Sequence, residues 1–87
     1  MDLALTGRVA LILGPAKGMG AAISRAFARE GCALALAGRD IAAIQPVRDA
    51  VAAHAKAMIV RCDMRDPASC DAAAAATLDA FGRIDIL

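Results

Sequence analysis

The chain has 87 residues, 60% of them hydrophobic, with Phe27 and Phe81 as its aromatics and a net charge of +1. That length allows one small domain with a lean, alanine-rich core; balanced charge without interleaved aromatics argues against a nucleic-acid surface, and no apolar run approaches the roughly 18 residues of a membrane span. Asp2 and the lack of a basic n-region make the N-terminus a poor match to a secretory signal, while Cys32, Cys62 and Cys70, without C-x-x-C spacing, argue against a disulfide framework or zinc site and make a reducing cytoplasm the expected compartment.

Residues 3–8 are a lead-in with a turn at Thr6-Gly7. Val9–Leu13 is a continuous apolar run of strand length, as expected of a strand buried on both faces of a parallel sheet. Over residues 18–30 the period becomes helical. Met19, Ile23, Ala26 and Phe27 form one apolar stripe, Arg25 and Arg29 lie off it, and Gly31 is the expected stop. A second strand is predicted at 33–37, followed by Gly38-Arg39-Asp40, with Asp40 placed to cap the next helix. That helix carries Ile41, Ile44, Val47 and Val51 inward. Pro46 removes a backbone donor and is expected to kink or delay it, so that residues 46–54 are its firmer part.

Ala57–Arg61 is a third strand, ending at Cys62-Asp63. Asp66-Pro67 pairs a capping side chain with proline at the first helical position. The third helix runs to about Phe81, with Leu78 and Phe81 inward, and stops at Gly82. The alanines at 72–76 within it favour helix over disorder. Residues 84–87 open a fourth strand. Strand starts at 9, 33, 57 and 84 recur at the spacing of βαβ units. With right-handed crossovers the expected architecture is α/β: the N-terminal half of a Rossmann-type doubly wound parallel sheet, β-α-β-α-β-α-β, in strand order 3-2-1-4.

Gly14, Gly18 and Gly20 form G-x-x-x-G-x-G between the first strand and the first helix. Turn glycines alone would be ordinary. In this position, the first can leave the strand in a tight turn. The second lacks a Cβ that would block a pyrophosphate, and the third lets helix and strand pack closely. The helix N-terminus then presents unpaired N–H groups to an anion. A G-x-x-x-x-G-K-[ST] loop does not fit, because Lys17 precedes Gly18 and no Ser or Thr follows to hold magnesium.

These motifs resemble the short-chain dehydrogenase/reductase family over essentially the whole chain. LGPAKGMG is similar to that family's T-G-x-x-x-G-x-G, with Leu13 in place of the threonine, whose hydroxyl is thereby lost. Asp63 in CDM matches the family's adenine-contacting Asp, with the Met64 backbone beside it. FGRIDIL, residues 81–87, matches F-G-x-[IL]-D-x-L. The resemblance implies hydride transfer between a nicotinamide and a small-molecule carbonyl or alcohol. It also implies a cofactor-binding set of Gly14, Ala16, Lys17, Gly18, Met19, Gly20, Arg39, Asp63 and Met64. Members that use NAD carry an acid at the end of the second strand, a position held here by Gly38. Arg39 and Lys17 match the two basic positions of members that use NADP. A 2′-phosphate accepts charge-assisted bonds, best from a guanidinium, so the expected cofactor is NADP rather than NAD. Asp40 competes as a ribose-binding acid, but its helix-capping role is preferred.

Other polar residues read as structural. His54 is a surface histidine near a helix end, Ser24 and Ser69 lack a nearby base, the cysteines are small hydrophobes, and Asp71, Asp79 and Asp85 are solvated or local acids. The Tyr and Lys of Y-x-x-x-K, with the assisting Ser and Asn, supply the family's catalysis. This chain has no tyrosine and stops where N-N-A-G would follow Leu87, so no catalytic residue is assigned. The expectation is residues 1–87 as the cofactor-binding part of one domain, in a full-length protein that is a homo-oligomer. The alternatives are a non-catalytic nucleotide sensor on the same fold or an inactive fragment.

Overall fold

The computed structural model describes residues 6–15 and 18–86. Three strands, β1 (Val9–Leu13), β2 (Ala33–Gly38) and β3 (Ala57–Arg61), alternate with three helices, α1 (Gly18–Arg29), α2 (Ile41–Ala52) and α3 (Pro67–Phe81). The strands are parallel in the order β1-β2-β3, with Val9 opposite Ala33 and Leu34 opposite Ala57. On the free edge of β1, Ala10 forms a parallel bridge with Ile86, and the Leu11 N–H donates to the Ile86 carbonyl at 2.9 Å. This is the place expected for a fourth strand; Leu87 lies outside the described residues.

The alternation of strand side chains divides the core in two. Ala10 and Ile12 of β1 and Leu34 and Leu36 of β2 face α1 and α2, where Ile44, Val47 and Val51 of α2 pack with Ala21 and Ala28 of α1. Leu11, Ala35 and Ala37 face the opposite side, where Ala73 of α3 packs with Cys62. Both sheet faces are therefore covered, which explains why β1 and β2 are apolar at nearly every position rather than at alternate ones.

Local signals explain the helix ends. Asp40 caps α2, its Oδ1 accepting from the Ala43 N–H at 3.1 Å. Asp66 caps α3 the same way through the Ala68 N–H, with Pro67 at the first helical position. Past α1 the Gly31 N–H donates to the Ala28 carbonyl and the Cys32 N–H to that of Phe27, closing the helix with a Schellman pair.

The helix faces differ from the expectation in three places. In α1, Met19, Ile23 and Ala26 are exposed and Phe27 is half-buried, while Ala21, Ser24 and Ala28 meet the sheet. The fully buried residues of α1 are small, Phe27 packs at the margin of the same core, and Ser24 is accommodated because its hydroxyl donates to the Gly20 carbonyl at 2.8 Å. In α2, Ile41 is exposed; the helix starts there, directly after the expected Asp40 cap, so Pro46 does not delay it, and it ends at Ala52 rather than His54. Pro46 and Ala42, the residue whose carbonyl loses its helical donor, both face solvent, so water can take the bond. In α3, Leu78 is exposed, and Thr77, with its hydroxyl donating to the Ala73 carbonyl at 2.8 Å, takes the buried position.

Asp85 ties the two ends of this unit together. Its side chain, 14% exposed, binds Arg83 at 2.7 Å and Arg8 at 3.4 Å, and accepts from the Val9 N–H at 2.9 Å. The Arg83 guanidinium and the Val9 N–H hold its carboxyl below the usual carboxylate value. It is thus a local structural acid. Among the described residues no helix is long and apolar enough to cross a membrane.

Candidate cofactor site

The carboxyl ends of the three strands are held level. The Gly14 N–H donates to the Ala37 carbonyl and the Cys62 N–H to the Gly38 carbonyl, each at 2.9 Å. A cavity of about 410 Å³ opens over these ends, lined by Gly14 and Pro15 after β1, Gly38, Arg39 and Asp40 after β2, Ile44 of α2, and Cys62, Asp63, Met64 and Arg65 after β3. Its volume falls within the roughly 300–1,000 Å³ of small-molecule sites. Doubly wound sheets bind ligands at this end because the loops there are free to diverge.

The glycines of the turn have distinct geometric reasons. Gly14 and Gly18 have φ of 68° and 63°, left-handed values that L side chains rarely adopt, and a Cβ on either would meet open space. Gly20 is constrained by contact instead. A Cβ there would run into the Gly14 carbonyl oxygen and stand 3.1 Å from the Pro15 Cα, so α1 can sit against the turn only with glycine at this position. The first turn of α1 carries no acid to oppose an anion at its N–H groups.

The electrostatics of the cavity are set by two arginines and two aspartates. Asp40 is spent on its helix cap, which supports the structural role over a ribose-binding one. Asp63 is held by Arg65: Nε donates to Oδ1 at 3.2 Å and Nη2 to Oδ2 at 3.3 Å, and the Arg65 backbone N–H reaches Oδ1 at 3.0 Å. The Arg65 guanidinium pulls the Asp63 carboxyl below its usual value, and the carboxylate pushes the guanidinium up. Arg39, at the mouth of the same cavity, has no carboxylate within ion-pair distance among the described residues.

Of the residues expected to hold a cofactor, Gly14, Arg39, Asp63 and Met64 come together around the cavity. Met64 and Met19 are both exposed, and Met19, with Gly18 and Gly20, belongs to the adjoining start of α1 rather than to the cavity wall. Ala16 and Lys17 lie outside the described residues. Leu13, in the threonine position of the motif, is 38% exposed at the strand end. Arg65 was missed by the sequence reading; a basic residue two positions beyond Asp63 was the signal available. Among the described residues no group of three or more His, Cys, Asp or Glu side chains could hold a metal ion.

Layered helices on a parallel sheet, with a glycine turn after β1, define a Rossmann-type α/β unit. Residues 8–87 match the short chain dehydrogenase family. Over 91 residues the chain is 43% identical to D-threitol dehydrogenase of Mycolicibacterium smegmatis, covering 99% of this chain and 34% of that protein. It is 42% identical to galactitol 2-dehydrogenase of Agrobacterium fabrum, covering 95% of this chain and 32% of that protein. Among solved structures, a metagenomic short-chain oxidoreductase in complex with NADP matches with a TM-score of 0.90 at 34% identity, covering 97% of this chain and 38% of that one. A short-chain dehydrogenase/reductase from Burkholderia phymatum in complex with NAD matches with a TM-score of 0.87 at 37% identity, covering 92% of this chain and 29% of that one. This chain belongs to the short-chain dehydrogenase family. It spans about a third of the length of the curated relatives it matches.

Proposed function

We propose that residues 1–87 are the cofactor-binding part of an NADP-dependent oxidoreductase, which exchanges a hydride between the nicotinamide and a small-molecule alcohol or carbonyl. The observation that carries the choice of cofactor is Arg39, which borders the cavity with no carboxylate within ion-pair distance among the described residues, Asp63 acting on it only at longer range, and which directly follows Gly38, the position where NAD-using members of the family carry an acid. An acid at that point would repel a 2′-phosphate, whereas a guanidinium donates charge-assisted bonds to it.

The residues present fit the dinucleotide. The left-handed turn at Gly14 and Gly18 leaves open space where Cβ atoms would stand, and the acid-free start of α1 is suited to the pyrophosphate. Asp63 and Met64 border the part of the cavity that would take the adenine, and Lys17 is assigned from the sequence as a second partner of the 2′-phosphate. The bound cofactor would supply the hydride acceptor or donor. This chain's contribution is to orient it at the carboxyl edge of the sheet and to set its affinity. With no tyrosine in the sequence, the general acid of such a reaction is not among these residues. The names of relatives, D-threitol dehydrogenase and galactitol 2-dehydrogenase, support polyols as the first substrates to try.

The test is titration of the full-length protein with NADP(H) and NAD(H), followed by a polyol panel assayed for cofactor reduction. Tighter binding of NADP(H) and reduction of NADP by at least one polyol or related alcohol are expected. Preference for NAD(H) would refute the cofactor assignment.

A further inference from the structure

Two thiols meet beside the cavity, Cys62 in its wall and Cys70 behind it on α3. Cys62, directly after β3, is buried, and Cys70, in the first turns of α3, is half-buried. Their sulfurs lie 3.9 Å apart. The segment between them is folded back on itself. The Asp63 N–H donates to Ser69 Oγ at 2.9 Å, the Asp66 N–H to the Asp63 carbonyl at 3.0 Å, and the Cys70 sulfur lies 3.8 Å from that same carbonyl oxygen. Cofactor binding, as proposed above, uses neither sulfur.

We propose that Cys62 and Cys70 are a reversible disulfide site, and that closing the disulfide reshapes the nucleotide cavity; the second half rests on the NADP assignment above. Cys70 is the sulfur that an oxidant reaches first. With a hydroperoxide, the Cys70 thiolate attacks the terminal peroxide oxygen, the O–O bond breaks, and sulfenic acid forms as the alkoxide, or hydroxide from hydrogen peroxide, departs and takes up the proton that Cys70 had released. The Cys62 sulfur then attacks the Cys70 sulfur, the S–S bond forms and the S–O bond breaks. The departing hydroxide leaves with the Cys62 proton as water. Two thiols lose two electrons to one peroxide. A disulfide is about 2.05 Å long, so the sulfurs must close by almost half their present separation. The intervening segment carries Asp63, Met64 and Arg65, all on the cavity wall, and would be drawn with them. In the reduced protein burial pushes the Cys70 thiol up, and Cys62, Asp71 and Asp66 add to this, so only a small fraction is thiolate and the first step is slow.

Trypsin makes the test direct, because it cleaves after Arg61 and Arg65 and so separates the two cysteines. The full-length protein is reduced, treated with hydrogen peroxide, alkylated and digested. The expected product is the 62–65 peptide linked to the 66–83 peptide, present in wild type, absent in both Cys62→Ser and Cys70→Ser, and released by dithiothreitol. NADP titration of the oxidised protein is expected to give at least a fivefold weaker Kd that dithiothreitol restores. That reversal also separates the effect from sulfoxide formation at the exposed Met64, which dithiothreitol does not reverse. Absence of the linked peptide overturns the site. A linked peptide with unchanged Kd overturns the coupling to the cavity. Failure of the reduced protein to bind NADP would refute the cofactor assignment, and the peptide map would still decide the disulfide.

Discussion

Replacing Arg39 with alanine removes a cavity guanidinium that has no carboxylate within ion-pair distance among the described residues and feels Asp63 only at longer range. Its free donors are what a 2′-phosphate would use. A hydrogen bond to a charged group is worth about 1.5–3 kcal/mol net, and each 1.4 kcal/mol or so is tenfold in affinity, so Kd for NADP(H) should rise about 10- to 150-fold. NAD(H) lacks the 2′-phosphate and should lose less than about twofold by the same reasoning. Arg65→Ala is the internal control. That side chain borders the same cavity but is already held by Asp63 at 3.2 and 3.3 Å, so its loss should affect both cofactors alike through the part they share. Isothermal titration of wild type and both variants with each cofactor, repeated at raised salt, measures all of this. Because Arg39 is exposed, the NADP advantage should shrink as salt screens it. Equal losses for both cofactors in Arg39→Ala, or NADP selectivity abolished only by Arg65→Ala, would refute the assignment.

Four further outcomes are expected. Gly20→Ala forces a Cβ into the Gly14 carbonyl, which is backbone and cannot rotate away, so it should cost about 1–3 kcal/mol in urea unfolding and weaken cofactor binding. Gly18→Ala, which has open space but φ of 63°, should cost about 1–2 kcal/mol from backbone strain alone. Leu36→Ala empties a fully buried position between the sheet and α2 and should lower stability by about 2–5 kcal/mol by the same measurement. Asp63 and Asp85 both have lowered carboxyl values, so their contributions are complete above the unfolded value of 3.8 and are lost as pH falls through the lower folded ones. Asp85→Asn should therefore flatten the acid limb of a stability–pH curve, and an unchanged limb would show that its contacts with Arg83 and Val9 do not contribute.

Strand and turn positions were legible because they rest on local chemistry. The apolar runs of β1, β2 and β3, the caps at Asp40 and Asp66 and the stop at Gly31 each depend on a few adjacent residues. Helix orientation was not legible in the same way. Hydrophobic size pointed to Met19, Ile23 and Ala26 of α1, but contact distance selected Ala21, Ser24 and Ala28, because Gly20 brings the helix down onto the turn. Ser24 and Thr77 were passed over as core residues because their hydroxyls are satisfied within their own helices, which a hydropathy pattern does not register. At the site, Asp63 was readable from its position after β3. The Arg65 clasp on it was not, since that depends on the chain folding back over two residues.

The bridge between Ala10 and Ile86 carries an implication for the order of assembly. Pairings within the sheet join residues about two dozen apart, such as Val9 with Ala33, whereas the Val9–Asp85 bond beside the bridge spans 76 positions. Loop-closure entropy grows with the logarithm of length, so this contact costs about 1 kcal/mol more to close than each neighbouring pair. From the unfolded chain, the three paired strands can form in succession from contacts of similar range, and once they are paired the loop that the Asp85 clasp must close at the edge of β1 is much shorter. Its ion pairs would govern how quickly that edge reopens more than how quickly the sheet forms.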